Sequence, residues 1–73
     1  MIAIVLIRTK VGEAFAACED IRNIKGVVNV HVVTGPYDII SIVDSKNVSL
    51  RRIVESIHDV RGVVRTETCL KVS

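Results

Sequence analysis

The polar groups best placed to bind a ligand lie in one short stretch, Thr34-Gly35-Pro36-Tyr37-Asp38, between the apolar runs Val30–Val33 and Ile39–Ile42. Gly35 can take a positive φ, and Pro36 fixes its own φ and donates no N–H, so the chain must turn here. Tyr37 is the only tyrosine, and Asp38 stands just ahead of the next apolar run. Backbone N–H groups near Gly35 and Tyr37 can bind a carboxylate, and Asp38 can bind an ammonium group. The plainer alternative is a turn whose Tyr packs an edge and whose Asp accepts backbone N–H bonds. Thr66 and Thr68 place two hydroxyls on a strand face with Val64 and Leu70. They either fill an interface or orient a small polar ligand.

The other reactive side chains point to no catalytic chemistry. His31 and His58 are the only imidazoles, and no His, Cys, Asp or Glu partners stand at metal-ligand spacing, so no metal or cofactor is expected. His58, near a helix end, suits the helix dipole. Cys18 lies on an apolar helical stripe and reads as a small buried hydrophobe, while Cys69 alternates with Glu67 and Lys71. No His–carboxylate arrangement accompanies either thiol, so nucleophilic catalysis has no support. Two cysteines without a C-x-x-C spacing fit a reducing compartment.

These groups must be held by six short elements. Residues 2–8 read as a strand with apolar side chains on both faces, hence a central one. Val11, Ala14, Phe15, Cys18 and Ile21 recur at helical spacing within 10–24, with Thr9 as a candidate N-cap and Gly26 as the stop. Residues 27–34 alternate, with Val28, Val30 and Val32 on one face, and residues 37–44 follow as the second arm of an antiparallel hairpin. Ser45 or Asn47 is expected to cap a second helix with the stripe Leu50, Ile53, Val54 and Ile57, which Gly62 stops. Residues 63–72 form the last strand, with Thr66 and Thr68 on one face and Arg65, Glu67 and Cys69 on the other. Ile21–Val28 recurs 36 residues later as Ile57–Val64, so the chain holds two strand–helix–strand halves. That repeat implies an α+β, ferredoxin-like βαββαβ fold. Its four-stranded antiparallel sheet has both helices on one face and the first and third strands in the middle.

Seventy-three residues allow one domain spanning 1–73, which at this size is marginal alone. Yet 49% of the residues are hydrophobic and only 3% aromatic, so the core is aliphatic. The first and third strands carry aliphatics on both faces, but helices cover only one. A second sheet is therefore expected on the open face, and a homodimer supplies it most simply. Each aliphatic side chain fully buried there contributes roughly 1.5–3 kcal/mol. A net charge of +2 without basic runs does not predict nucleic-acid or membrane binding. RNA-binding versions of this topology need aromatic platforms on the central strands, and only Tyr37 is available. The apolar start Met1–Ile7 is too short to span a bilayer and lacks preceding basic residues, so a cytoplasmic location is expected.

The Val33-Thr34-Gly35-Pro36-Tyr37-Asp38-Ile39-Ile40 stretch, the second helix and Gly62-Val63-Val64-Arg65-Thr66-Glu67-Thr68 together resemble the ligand-binding domain of Lrp/AsnC regulators, over essentially the whole chain. That domain is known as the regulation-of-amino-acid-metabolism domain. The resemblance implies dimers formed through the sheets, assembly of dimers into octameric rings, and amino-acid effectors bound between dimers near the hairpin loop. It carries the effector loop onto Gly35, Tyr37 and Asp38, and the last-strand threonines onto Thr66 and Thr68. Pro36 stands where the family varies. The DNA-binding helix-turn-helix of typical members has no counterpart here, so direct nucleic-acid binding is not expected. The chain resembles stand-alone versions of the domain.

The expected function is thus a non-enzymatic amino-acid-sensing and oligomerisation module, binding through Gly35, Pro36, Tyr37, Asp38, Thr66 and Thr68. It would act on transcription through full-length Lrp/AsnC paralogues. The alternatives are a purely structural oligomerisation module and a small dimeric α/β-barrel enzyme. The almost wholly aliphatic core positions argue against the enzyme.

Overall fold

Strand β1 (Ile2–Thr9) is the spine of the sheet, flanked by β3 (Ile39–Asp44) and β4 (Val63–Leu70); β2 (Val27–Val32) lies outside β3. All three pairings are antiparallel and the order is β2-β3-β1-β4, as the two-half repeat requires. Helices α1 (Ala14–Arg22) and α2 (Leu50–His58) complete a βαββαβ chain. The computed structural model describes all residues, Met1–Ser73.

Period-two alternation decides which side chains meet the helices. Ala3, Val5 and Ile7 from β1, Ile39 and Val43 from β3 and Val30 from β2 are buried on one face. They form a single core with Ala17, Cys18 and Ile21 of α1 and Ile53 and Ile57 of α2. Both helices therefore cover the same face, and Cys18 is the small buried hydrophobe its stripe implies. Ser41 sits within this core, and its hydroxyl donates to the Val5 carbonyl at 3.4 Å.

The opposite face carries Ile2, Ile4 and Leu6 of β1 beside Ile40 and Ile42 of β3 and Cys69 of β4. Ile2 is 39% exposed and Ile4 40%, although both belong to the central strand and Ile4 is paired on both sides, with Ile42 and Cys69. The open aliphatic face expected from the sequence is thus present.

Local details depart from the sequence reading in four places. Thr9 does not cap α1; it ends β1 and is buried, and after the Gly12 turn the N-cap position falls to Glu13, which makes no side-chain cap bond. The helix starts only at Ala14, so Val11 lies in the turn before it; the inward stripe is Ala14, Ala17, Cys18 and Ile21, and Phe15, within the helix but off that stripe, is exposed. The cap of α2 is Ser49, in extended backbone, accepting the Arg52 N–H at 3.3 Å, rather than Ser45 or Asn47. Ser45 instead ties the end of β3 to the chain start, donating its N–H to the Met1 carbonyl at 2.9 Å. In β2, an irregularity between Val27 and Asn29 leaves Val28 exposed rather than beside Val30.

The repeat is visible in two turns. Gly26 and Gly62 have φ of +99° and +93°, values that L side chains rarely adopt, and each abuts the other half of the molecule. A Cβ on Gly26 would lie 2.6 Å from Ile53 Cδ1, and one on Gly62 would lie 2.9 Å from the Glu13 carboxylate. They turn the chain between helix and strand; the helices themselves end at Asn23 and Asp59.

Candidate ligand loop at the edge of the open sheet face

Where β3 stops pairing with β1, at Ile39 opposite Ile7, the loop takes over the ladder. Asp38 donates its N–H to the Ile7 carbonyl at 2.9 Å, and its carbonyl accepts the Val33 N–H at 2.8 Å, closing the loop. The next donor along β1 on that side, Thr9 N–H, has no backbone partner on β3. The Asp38 carboxylate accepts it at 2.8 Å, with the Thr9 hydroxyl 3.4 Å away. One side-chain oxygen thus substitutes for a strand carbonyl, as an Asp beside a free N–H can.

Gly35 has φ of +121° and nothing within 4 Å of a Cβ built on it, so its backbone conformation and not crowding calls for glycine. Pro36 is exposed, and its carbonyl accepts a hydrogen bond from the Arg8 guanidinium. This bond anchors the loop tip to β1.

Tyr37 reaches onto the open face, where its hydroxyl donates to Glu67 Oε1 of β4 at 2.6 Å. That bond is the main reason the phenol is held above the ordinary tyrosine range; desolvation and the negative charge of Glu67 add to it, while Arg65 and Arg8 pull the other way. Tyr37, Glu67, Arg65 and Arg8 therefore form one polar cluster at the loop end of an otherwise aliphatic face.

Thr66 and Thr68 lie elsewhere. Thr66 pairs with Ile7 and Thr68 with Val5, which places both on the helix-covered face. Thr66 Oγ1 is 2.8 Å from Nε2 of His58, in the last turn of α2, and Thr68 is exposed beyond that helix. Within one subunit the sheet thus separates the threonine hydroxyls from the Tyr37 phenol. The loop residues Gly35 to Asp38 are brought together; the two threonines are not brought to them.

Arg8, Arg65 and Glu67 do not stand out in the sequence as candidate ligand contacts. Alternation alone puts Arg65 and Glu67 on the same face. Only the ladder register sets Arg65 opposite Arg8 and Glu67 opposite Leu6, within reach of the loop.

Comparison with known proteins agrees with the fold. A family model described as the Lrp/AsnC ligand binding domain matches residues 2–73. No curated protein matches the chain. Among solved structures, it is similar to TTHA0845 of Thermus thermophilus, with 38% identity and a TM-score of 0.90 over 99% of this chain and 92% of that one. It is similar in fold to E. coli AsnC, with 19% identity and a TM-score of 0.87 over 99% of this chain and 50% of AsnC. A further fold neighbour is the transcriptional regulator NMB0573 of Neisseria meningitidis, solved as a complex with L-Met. It has 17% identity and a TM-score of 0.77 over 99% of this chain and 49% of the regulator.

Proposed function

The chain belongs to the Lrp/AsnC ligand binding domain family, and from that premise we propose that it is a non-enzymatic amino-acid-sensing and assembly module. It dimerises through its open sheet faces, the dimers associate into octamers, and the assembly modulates full-length Lrp/AsnC paralogues without itself contacting nucleic acid. The observation that carries this reading is the aliphatic band of Ile2, Ile4, Leu6, Ile40 and Ile42 on the face the helices leave open. Such an aliphatic face, left uncovered by the helices, suits a second copy of itself.

The effector is bound at the loop of Gly35, Pro36, Tyr37 and Asp38. The L-Met complex of the Neisseria meningitidis regulator supports an amino acid as the ligand class. Thr66 and Thr68 lie on the other face from Tyr37, so they contribute to the same ligand only from a neighbouring subunit. A site completed between subunits would couple effector binding to assembly.

A purely structural assembly module is the second reading, and one observation favours it: the Asp38 carboxylate is already engaged by Thr9. Native mass spectrometry with and without a mixture of the standard amino acids separates the two. A dimer or octamer that gains one small-molecule mass per subunit or per interface is the expected result. An assembly that never gains mass refutes sensing, and a bare monomer refutes the sheet-to-sheet dimer under both readings.

A further inference from the structure

Arg8 and Arg65 face each other directly across the β1–β4 ladder on the open face, at the end nearest the loop. Side chains so placed have Cβ atoms about 4.5–5.5 Å apart, and like charges there repel. Neither arginine has an acidic partner. The chain's ion pairs are Met1–Asp44, Arg22–Glu19, Arg51–Glu55 and Arg61–Glu13. The nearest acid on that face, Glu67, accepts the Tyr37 hydroxyl and pairs with neither guanidinium. Arg8 is held by the Pro36 carbonyl, which fixes one guanidinium beside the loop.

We infer that Arg8 and Arg65, with Tyr37 beside them, form a carboxylate-binding site at the loop end of the open sheet face. Two guanidinium forks can take one carboxylate through paired N–H donors, and the anion relieves their mutual repulsion. The charge count selects the ligand class. Two arginines and one glutamate leave a single positive charge in excess, which one carboxylate neutralises and a phosphate dianion exceeds. Assigning this carboxylate to the proposed effector rests on the sensing reading; the anion affinity of the arginine pair does not.

The test is thermal denaturation of the intact protein in sodium acetate against sodium chloride at equal ionic strength, for the native chain and for Arg8→Gln, Arg65→Gln and Lys25→Gln. Lys25 is an exposed lysine in the turn before β2 and serves as the control. Acetate is expected to raise the Tm of the native chain and of Lys25→Gln, and each arginine variant is expected to lose at least half of that rise. In parallel, the Arg8 and Arg65 Nε–Hε resonances are expected to shift saturably with acetate. No rise in the native chain, an undiminished rise in both arginine variants, or a larger saturable shift with inorganic phosphate would overturn the proposal. Acetate binding at the pair with no response to any amino acid supports the anion site while refuting sensing. An amino acid that binds the combined Arg8→Gln and Arg65→Gln variant as tightly as the native chain overturns the carboxylate assignment and leaves sensing intact.

Discussion

Asp38 has two claims on it, one structural and one functional, and a pair of substitutions separates them. Its carboxylate accepts the N–H of Thr9, a residue only 9% exposed. Asp38→Ala leaves that N–H without a partner where the β1–β3 ladder ends, at a cost of about 1–3 kcal/mol for an unsatisfied buried donor. The upper part of that range is discounted because Asp38 is itself half-buried and water can reach the gap. For a domain of this length about 1 kcal/mol corresponds to about 4–8 °C in Tm, so a loss of roughly 5–15 °C is expected. Asp38→Asn retains a side-chain carbonyl that can accept the same N–H, and it should recover more than half of the loss, missing only the charge-assisted part. The assay is thermal and urea denaturation at one fixed protein concentration, since an assembling protein's stability depends on concentration. If Asp38→Asn is as damaging as Asp38→Ala, or if Asp38→Ala changes stability by less than about 0.5 kcal/mol, the Thr9 bond does not hold the loop. The same pair tests the ligand role. Asn keeps the loop but cannot ion-pair with an ammonium group. An amino-acid-induced Tm shift should therefore vanish in Asp38→Asn even though the fold survives, and an undiminished shift removes Asp38 from the site.

Two further perturbations address the open face. Ile4→Lys puts a charge in the middle of the aliphatic band, and two-fold symmetry places it in the interface twice. Dissociation should rise on the order of 100-fold or more, from about 1.4 kcal/mol per tenfold, with an unchanged far-ultraviolet circular dichroism spectrum; light scattering that still finds the native assembly size would refute a dimer through this face. Tyr37→Phe tests the bond to Glu67 through pH. The folded phenol is harder to ionise than an ordinary tyrosine, whose value is 10.0, so the contribution of the bond is complete below that value and is lost as pH rises through the raised folded one. The native chain should lose stability faster than Tyr37→Phe as pH climbs above about 10, and parallel Tm curves would refute the coupling.

Legibility follows the range of the interaction. The repeat of Ile21–Val28 as Ile57–Val64, with glycines at the same phase, announces two equivalent halves, and the two-faced apolar pattern of β1 announces a central strand with an uncovered side. Alternation within β4 separates Thr66 from Glu67. The phase of α1 is ambiguous in the sequence because Val11 and Phe15 fit a 3.6-residue period as well as Ala17 does. The Gly12 turn leaves Val11 outside the helix, and packing against the sheet turns Ala17 rather than Phe15 inward. The cap of α2 is not Ser45 or Asn47, the two residues the sequence suggests, but Ser49, which stands in extended backbone directly before the helix.

The βαββαβ order, the aliphatic core, the open second face and the turn at Gly35-Pro36 all follow from local periodicity and from the conformational limits of individual residues. They can be read along the chain without knowing which segments meet. What the polar groups do cannot. Which side chain stands opposite Arg8, which oxygen meets Thr9 N–H, and whether Thr66 shares a face with Tyr37 all depend on how distant strands slide against each other. Arg65 and Arg8 are brought together by one ladder register, and Asp38 and Thr9 by the point at which another ladder ends. A shift of one residue in either pairing would turn every side chain to the opposite face, so register and not residue type places the polar cluster beside the loop.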